Sequence, residues 1–327
     1  MNSRRDVLKT IGALPLLAPV PLLVSCSKPA PSKITIGMVT FPGYGPLYVA
    51  RDLGLFQNVD VNLIRIEAVG DLRSALLGGR IDMYLATYDI FESIETRAPI
   101  GKMVYAIDTS VGADGVAVDG SIKSVSDVVG RRIGAEPGFP PHFVLTFMLY
   151  KAGHKLSDST IIDMPSGDVP SAFASGNIDV AATYEPYLSK CLGVRPNSKI
   201  LVSSANIPGL ISDFMVASED AIAQKTEAIK NVITGWERAL NVISTKPDTA
   251  FPIMAKAFNV SVGDMRDFAR VVKWLGAAEN RHLFTSKGED GVYQRYSEVN
   301  KALRLNNAAI TASSARDFVI PKFVNLG

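Results

Sequence analysis

Along the first third of the chain, short stretches in which apolar and polar residues alternate, as in a strand, are followed by stretches with the apolar periodicity of a helix. Residues 33–39 alternate between apolar and polar positions and are rich in β-branched side chains, which predicts a strand. Residues 46–53 predict a helix, because Pro46 occupies its first turn and Gly54 follows its end. The pattern predicts further strands at 59–66, 81–86 and 103–108 and a helix at 71–77. This spacing is typical of βαβ units and a parallel sheet.

A second series of strands begins after the glycine-containing segment 111–115. Strands are predicted at 115–118, 133–136, 161–164, 178–182 and 200–203, helices at 124–129 and 141–151, and a returning strand at 211–216. From Glu219 to the C-terminus the periodicity is helical, most clearly at 228–243, 251–257 and 265–275. We interpret the chain as an α/β protein of two lobes. Lobe 1 comprises residues 33–113 and 214–327, and lobe 2 is the inserted segment 114–213.

One phrase of the sequence occurs twice. Residues 74–82 read SALLGGRID and lead to ATYD at 86–89, and residues 171–179 read SAFASGNID and lead to ATYE at 182–185. Each copy predicts the end of a helix, a glycine in the left-handed region, and a strand that ends in a hydroxyl, a phenol and a carboxylate. Ligands of open α/β sheets bind beyond the carboxyl ends of the strands. The repeat indicates two lobes that share one ligand, although such phrases are also common in α/β proteins.

The N-terminal segment predicts export from the cytoplasm. Residues 1–25 combine a charged start containing Arg4 and Arg5 with the apolar run 11–24, which resembles a twin-arginine signal; general export remains the alternative. The apolar run is short for a membrane span and contains three prolines. Leu-Val-Ser before Cys26 resembles the lipobox of bacterial lipoproteins, so Cys26 is the predicted lipidation site and residues 26–32 are the predicted tether.

Charge and cysteine content exclude several classes of function. Removal of residues 1–25 lowers the formal net charge from +2 to 0, because three basic and one acidic side chain are lost, and this balance argues against nucleic-acid binding. Cys191 is the one cysteine after Cys26, so no internal disulfide is expected. The sequence contains no CxxC, HExxH or GxSxG motif. We therefore expect no catalytic residues, no metal site and no cofactor.

An ordered set of motifs carries a family resemblance. The set consists of FPGYGPLYVA at 41–50 with GLF at 54–56, DTSVGADG at 108–115, DVVGRRI at 127–133, AFASGNID at 172–179 and YEP at 184–186. Over residues 33–216 the chain resembles the substrate-binding proteins of nitrate, sulfonate and taurine ABC importers. The resemblance implies a type II periplasmic-binding fold, with two lobes that are each a mainly parallel sheet flanked by helices. Two crossover segments join these lobes, which close over a solute by a hinge.

The same resemblance implies partners and a location. A binding protein of this kind is a monomer that takes a small-molecule solute and delivers it to ABC permease subunits. With the predicted lipid anchor, it is expected in the periplasm or at the outer face of the cytoplasmic membrane.

The loops before two predicted helices are candidate ligand contacts. The resemblance places Phe41, Gly43 and Tyr44 at the floor of the cleft, ahead of a helix whose N-terminus can bind an anionic oxygen. Phe139 and His142 lie ahead of the corresponding helix of lobe 2, and the phenol of Tyr184 ends a repeat strand. The alternative is that these residues only shape the turns between strand and helix.

Acidic residues are the more discriminating feature. Predicted strand ends and crossover segments carry five acids that no basic residue accompanies: Asp89, Asp108, Asp114, Glu185 and Asp213. A buried carboxylate without a counter-charge costs several kcal/mol, and a ligand ammonium group can supply that charge. The set argues against nitrate and for an amine-containing or zwitterionic solute, with taurine favoured and a cationic aminopyrimidine as another candidate. Each acid can instead cap a helix or remain solvated.

Two other classes of function stay open. Related folds include a thiamine-pyrimidine synthase, but the cysteine cluster of that enzyme's pattern is absent from this sequence. A sensor that uses the same fold to signal to a membrane partner is the second alternative.

Overall fold

The computed structural model describes residues 31–95, 100–306, 310 and 313–324. The predicted export signal at 1–25 and the predicted lipidation site at Cys26 lie outside these residues. Pro31–Gly327 form one compact unit. Its strands are β1 (Ser32–Met38), β2 (Val59–Arg65), β3 (Met83–Thr87), β4 (Gly101–Ser110), β5 (Asp114–Val118), β6 (Arg132–Ala135), β7 (Thr160–Asp163), β8 (Val180–Tyr184), β9 (Lys199–Ser203), β10 (Ser212–Ser218) and β11 (Val272–Trp274).

Helices flank both sheets. They are α1 (Gly45–Asp52), α2 (Val69–Leu77), α3 (Tyr88–Glu95), α4 (Pro140–Lys151), α5 (Val169–Ala174), α6 (Tyr187–Lys190), α7 (Glu219–Gln224), α8 (Thr226–Thr245), α9 (Pro247–Phe258), α10 (Val262–Phe268), α11 (Ala277–Thr285), α12 (Val292–Asn306) and α13 (Ala315–Phe318). Short 3-10 turns lie at Pro42–Tyr44, Val125–Val128, Leu156–Asp158, Ser204–Asn206, Ala269–Val271 and Pro321–Phe323. Among the described residues, no helix is both long and apolar enough to cross a bilayer.

The strands form two sheets, which confirms the predicted two-lobed α/β class. Within the described residues the first sheet has the order β11-β4-β10-β3-β1-β2 and the second has the order β7-β6-β8-β5-β9. The lobe boundaries proposed from the sequence, at 113/114 and 213/214, stay a prediction.

Both sheets are mixed, and in each of them most of the described strands run in the same direction. β1 is parallel to β2 and β3, and β6 is parallel to β7 and β8. β10 is antiparallel to β3 and β4, β11 to β4, and β5 to β8 and β9. The physical reason is the connection between the sheets. β10 and β5, which each begin directly after a crossover, run antiparallel to both of their neighbours in the sheet.

The C-terminal region is not helical throughout, which corrects an expectation. The helix predicted at 265–275 ends at Phe268, and after a 3-10 turn the chain forms β11. Val272 pairs with Ser110 and Trp274 pairs with Asp108 on the edge of β4. The β-branched pair Val271 and Val272 suits a strand, and the open edge of β4 offers backbone partners that a helical periodicity does not reveal.

The repeated phrase folds into the same local structure in both lobes. Gly79 and Gly176 both have positive φ, at 65° and 78°. Asp82 N–H donates to Thr35 O at 2.8 Å, and its carboxylate accepts from Thr35 N–H at 2.9 Å. Asp179 N–H donates to the carbonyl of Arg132 at 2.8 Å, and its carboxylate accepts from the backbone N–H there at 3.1 Å. The two halves therefore share one building plan, as the repeat predicts.

Buried hydroxyl groups link the two segments that connect the sheets. Ser110 Oγ and Ser204 Oγ share a hydrogen bond of 2.6 Å, and Gly112 N–H donates to Ser204 Oγ at 2.8 Å. Ser212 Oγ donates to Thr109 Oγ1 at 3.1 Å. Because one crossover contains Thr109, Ser110 and Gly112 and the other contains Ser204 and Ser212, these bonds tie the crossovers to each other.

Candidate functional site

A cavity lies where strands of the two sheets end. About 280 Å³ of space in it is not filled by atoms, part of this space is open to solvent, and the volume that the centre of a water molecule can occupy is about 20 Å³. Its walls combine apolar, aromatic and acidic side chains from both halves of the protein: Val39, Phe41, Tyr44, Thr87, Ile90, Asp114, Phe139, Pro140, Tyr184 and Asp213. The mixed lining suits a small organic molecule with a polar end.

Aromatic rings from both lobes meet at this cavity. The rings of Phe41 and Tyr44 are 5.3 Å apart at an interplanar angle of 77°, and those of Phe41 and Tyr184 are 6.3 Å apart at 78°. Phe139 and Tyr184 are nearly parallel, with centroids 6.4 Å apart. Phe41 precedes the first helix of lobe 1, whereas Phe139 and Tyr184 belong to lobe 2, so the apolar wall spans the cleft.

The loop that carries Phe41 is held tightly against the first sheet. A Cβ atom at Gly43 would lie 2.6 Å from Asp108 Oδ2 and would also collide with the ring of Phe41. Trp274 Nε1–H donates to Gly43 O at 2.8 Å. Glycine is therefore required for this close approach, and β11 fixes the loop from the other side.

Three neighbouring strands of the first sheet present a row of polar side chains. Asp213 on β10 pairs with Thr87 on β3 and with Asp108 on β4. Directly paired residues of antiparallel strands project to the same face of a sheet. The hydroxyl of Tyr44 donates to Asp213 Oδ1 at 2.6 Å, so one carboxyl of the row is bonded by the protein. Asp89 follows two residues after Thr87, at the start of α3.

The pKa values of the buried carboxyls are raised. Burial raises the pKa of Asp213 to about 6, of Asp89 to about 7 and of Asp114 to about 8. The negative charge of Asp213 raises the pKa of Asp89 and Asp114 further. Burial and the charge of Asp213 also hold the pKa of Asp108 well above its ordinary value. The cause is the same throughout, because a dry pocket that several acids share disfavours their ionised forms.

Positive charge is absent from the described cavity wall. Lysine, arginine and histidine do not contribute to its lining. None of the carboxyls of Asp89, Asp108, Asp114 and Asp213 forms an ion pair with a described basic side chain. The described part of the chain also has no group of three or more His, Cys, Asp or Glu side chains arranged to hold a metal ion.

Several polar atoms of the first sheet have no hydrogen-bond partner. Among the described residues, the buried side-chain atoms in this state are Thr87 Oγ1, Tyr88 OH, both carboxyl oxygens of Asp89 and both of Asp108. Buried polar groups of native proteins are nearly always paired, so an unpaired cluster is a sign of a missing partner. Here the cluster adjoins the cavity through Thr87, which lines it.

The helix N-termini at the cleft have few free N–H donors. In α1, Gly45 N–H already donates to Pro42 O, and Pro46 has no N–H. α4 begins with Pro140 and Pro141, which likewise have none. An anionic group at these termini would therefore find fewer donors than the sequence-based expectation assumed.

The structure brings together six of the candidate residues named from the sequence. The residues that line the cavity are Phe41, Tyr44, Asp114, Phe139, Tyr184 and Asp213. Gly43 and Asp108 pack against each other behind the first loop, and Asp89 lies at the start of α3. The two remaining candidates, His142 and Glu185, are not part of the cavity wall.

His142 and Glu185 have local roles in the structure. Glu185 accepts hydrogen bonds from Ser189 N–H at 3.2 Å and Ser189 Oγ–H at 2.7 Å, so it caps the start of α6. His142 lies in the first turn of α4, where burial lowers the pKa of its imidazole. Their assignment as ligand contacts stays a prediction.

The sequence analysis missed four lining residues, which are Val39, Thr87, Ile90 and Pro140. Thr87 had a signal, because it is the hydroxyl residue of the repeated ATYD phrase at a strand end. Val39 and Ile90 had none, since an apolar residue beside a cavity has the same local pattern as one in the core.

Comparison with known sequences identifies a protein family and several relatives. A protein family described as NMT1/THI5 like matches residues 42–250. A putative binding protein of Brucella abortus (strain 2308) is 29% identical over 182 residues, which cover 55% of this chain and 57% of that protein. The chain thus spans a little over half the length of the curated relatives it matches.

Solved structures with the same fold include both binding proteins and an enzyme. The alkanesulfonate-binding protein SsuA from Xanthomonas axonopodis pv. citri bound to MOPS matches with a TM-score of 0.72 at 17% identity, covering 89% of this chain and 99% of that one. The desulfurization enzyme DSZB matches with a TM-score of 0.62 at 14% identity, covering 89% and 98%. These likenesses establish the fold.

Proposed function

The chain belongs to the NMT1/THI5-like family, and from this premise we propose that it is the extracytoplasmic solute-binding component of an ABC importer. In this function it binds a small amine-containing or zwitterionic solute by closure of two lobes and does not transform it. The relatives described as binding proteins support the class of function.

One observation carries the proposal, namely the cavity between the lobes with buried acids and no described basic side chain in its wall. Asp213 comes from the first sheet and Asp114 from the second, so a single solute is within reach of both lobes. An ammonium group placed between these carboxyls supplies the counter-charge that the described protein lacks. In this proposal, the lobes close when the solute binds to both carboxyls.

The hinge, the anchor and the partners complete the proposal. The hydroxyl-linked crossovers near residues 113/114 and 213/214 form the hinge between lobe 1 and lobe 2. Cys26 carries the lipid anchor after export, and the folded part works as a monomer at the outer face of the cytoplasmic membrane or in the periplasm. The partners are ABC permease subunits, which receive the solute.

The amine end of the solute has the stronger support. Taurine was favoured by the sequence, and its ammonium suits the carboxyls of the cavity. Its sulfonate would depend on the starts of α1 and α4, where prolines leave few N–H donors. A cationic aminopyrimidine fits the acids and the parallel rings of Phe139 and Tyr184 without needing an anion site.

A ligand panel tests the proposed function. Thermal unfolding of the full chain is measured with taurine, alkanesulfonates, nitrate, urea and aminopyrimidines. A cognate solute at a hundredfold excess over its Kd stabilises the protein by about 2.7 kcal/mol, so its unfolding temperature rises. We expect a rise with an amine-bearing solute and none with nitrate.

Two variants and one chemical assay complete this test. Asp114→Asn should abolish the ligand-dependent rise, whereas Asp60→Asn, at an exposed position of β2, should leave it unchanged. The bound solute is then recovered and analysed, and we expect it unaltered. A rise that only nitrate or alkanesulfonates produce would contradict the proposed class of solute, and chemical turnover would favour the enzyme alternative.

A further inference from the structure

We propose that the solute of this cavity has a positively charged head with at least two N–H donors, and that Thr87, Asp89 and the Asp108–Asp213 pair of the first sheet receive that head. Primary ammonium, amidinium and guanidinium groups belong to this class, whereas quaternary ammonium groups do not. The inference rests on the proposed function and narrows its substrate class.

The row of polar side chains on the first sheet is the first argument. Thr87, Asp213 and Asp108 lie side by side on β3, β10 and β4, and all three are buried. Tyr44 satisfies one oxygen of Asp213, but Thr87 Oγ1 and both oxygens of Asp108 have no described partner. Thr87 and Asp213 thus present a hydroxyl and a carboxyl at the cavity wall, and Asp108 lies beside Asp213 behind the first loop, in a place that water reaches poorly.

The repeat within the chain provides an internal comparison. Thr183 is the counterpart of Thr87, and its hydroxyl donates to Ser166 O at 3.0 Å. Glu185 is the counterpart of Asp89, and it accepts two hydrogen bonds from Ser189. The protein therefore satisfies the polar groups of the second copy itself. Thr87 Oγ1 and both oxygens of Asp89, in the first copy, lack such partners, which indicates that a ligand satisfies them.

The type of unsatisfied atom selects the type of head group. Ionised carboxylates only accept hydrogen bonds, so Asp89 and Asp108 require a donor as well as a positive charge. A buried group left without its bond costs about 1–3 kcal/mol. A trimethylated nitrogen supplies charge but no N–H, and a sulfonate supplies neither. Amidinium and guanidinium groups match a carboxylate with two parallel N–H bonds, and a primary ammonium has three donors.

The aromatic wall defines the competing hypothesis. Phe41, Phe139 and Tyr184 surround the other side of the cavity, and aromatic rings are the usual partners of quaternary ammonium groups. If cation–π contacts dominated recognition, N-methylation would preserve or improve binding. If hydrogen bonds to the carboxyls dominate, N-methylation abolishes it. The two hypotheses therefore predict opposite orders of affinity.

Isothermal titration of the full chain with matched probes tests the proposal. The probes are benzylamine, benzamidine, benzyltrimethylammonium and benzenesulfonate, which share one phenyl ring and differ in the head group. We expect benzylamine and benzamidine to bind at least about tenfold more tightly than benzyltrimethylammonium, because each lost hydrogen bond costs about 1.4 kcal/mol. Benzenesulfonate should not bind.

Variants assign the head group to the first sheet. Asp89→Asn should weaken benzamidine binding at least about tenfold. Thr87→Val, which removes one hydroxyl at constant shape, should weaken it about fivefold. Asp60→Asn is the matched control at an exposed acid and should leave binding unchanged. Circular dichroism and the unfolding temperature establish that each variant folds. If Asp89→Asn does not fold, Thr87→Val alone tests the assignment of the head group.

Three results would overturn the inference. These are equal or tighter binding of benzyltrimethylammonium, an unchanged affinity in the folded variants, and no binding of either N–H cation at millimolar concentration. If a solute of the ligand panel still stabilises the protein in any of these cases, the proposed function survives and only the head-group assignment falls. If no panel solute binds either, both fall.

Discussion

At the scale of single residues, the buried carboxyls determine how the stability of this protein depends on pH. Asp89, Asp108, Asp114 and Asp213 are almost completely buried, and no described basic side chain is ion-paired with them. Removing a charge from water costs several kcal/mol unless a partner compensates it. In the ligand-free protein, protons neutralise these carboxylates instead of a partner, and the pKa values of the four acids are raised accordingly. The cationic solute that we propose would compete with protons for the same oxygens.

The first prediction concerns pH and stability. The pKa of Asp114 is raised from its ordinary 3.8 to about 8 and that of Asp89 from 3.8 to about 7. A group whose pKa is raised by folding contributes stability at low pH and loses it as pH rises through the folded value. The free energy of unfolding of the ligand-free protein should therefore fall by at least about 1.4 kcal/mol per pH unit between about pH 5 and about pH 7.

Urea denaturation at a series of pH values measures this slope. Asp114→Asn should reduce the slope, because the amide does not titrate while Asp89 still does, whereas the exposed Asp60→Asn should have the wild-type slope. Saturating amounts of an amine-bearing ligand should also flatten the profile. A stability that stays constant or increases across this range would show that the acids are compensated in another way.

At the scale of elements, β11 is the clearest case of a contribution that the sequence did not reveal. This short strand pairs with the edge of β4 and carries Trp274, whose indole N–H holds the carbonyl of Gly43. Gly43 in turn packs against Asp108, so an element outside the cavity positions the loop that carries Phe41 and Tyr44. The element acts on the site through backbone geometry, and none of its residues is in the described cavity wall.

The second prediction tests this positioning role. Trp274→Phe keeps an aromatic ring but removes the bond to Gly43 O, which is worth about 0.5–1.5 kcal/mol. We expect ligand affinity to fall by about threefold to tenfold, with a small loss of thermal stability. Calorimetric titration measures the affinity. Tyr150→Phe, at an exposed ring, is the control, and wild-type affinity in Trp274→Phe would exclude the role assigned to β11.

The duplicated phrase shows how two equal elements acquire different tasks. Both copies keep the carboxylate that bonds back to the neighbouring strand, at Asp82 and Asp179. They diverge at the strand ends, where Thr183 is satisfied by the protein and Thr87 is not. The local sequence sets the fold of each copy, while the neighbours in space set which copy is free to bind.

At the scale of the whole molecule, the two crossovers lie close to the buried carboxyls of the cavity. The crossovers are tied by hydrogen bonds among Thr109, Ser110, Ser204 and Ser212, close to Asp108, Asp114 and Asp213. Asp114 belongs to the second sheet and Asp213 to the first, so their charges oppose lobe closure when both are ionised. In the proposed function, a cation between them would remove this repulsion and couple solute binding to the proposed hinge.

The third prediction tests the hinge. Ser204→Ala removes the acceptor of Gly112 N–H and the partner of Ser110 Oγ in a buried position. Unsatisfied buried groups cost about 1–3 kcal/mol, so we expect a lower unfolding temperature. We also expect a larger radius of gyration by small-angle X-ray scattering without ligand, because the crossovers can then bend separately.

A matched variant separates the hinge from general destabilisation. Ser198→Ala removes a hydroxyl that accepts from Gly193 N–H in an exposed loop, away from the crossovers, and should leave the radius unchanged. If the radius of Ser204→Ala equals that of the wild type, with and without ligand, the hydroxyl links only stabilise the fold.

The order of elements followed from the sequence because it depends on local information. Strand alternation, helical periodicity and the prolines and glycines at element ends are properties of a few neighbouring residues, and they placed most strands to within two residues. The repeat and the acids at strand ends also indicated the two lobes and the position of a cleft between them. The predictions at 1–25 and Cys26 depend on motifs of the same local kind.

Only the tertiary structure decided which polar groups are left without partners. The sequence treated Asp89 and Glu185 as equivalents. The structure distinguishes them, because Ser189 donates two hydrogen bonds to Glu185, whereas the carboxyl oxygens of Asp89 have no hydrogen-bond partner among the described residues. Strand β11 and the mixed sheets likewise depend on pairing between segments distant in the chain. Local patterns specify what each segment forms, whereas packing in three dimensions specifies which atoms meet and therefore where a ligand binds.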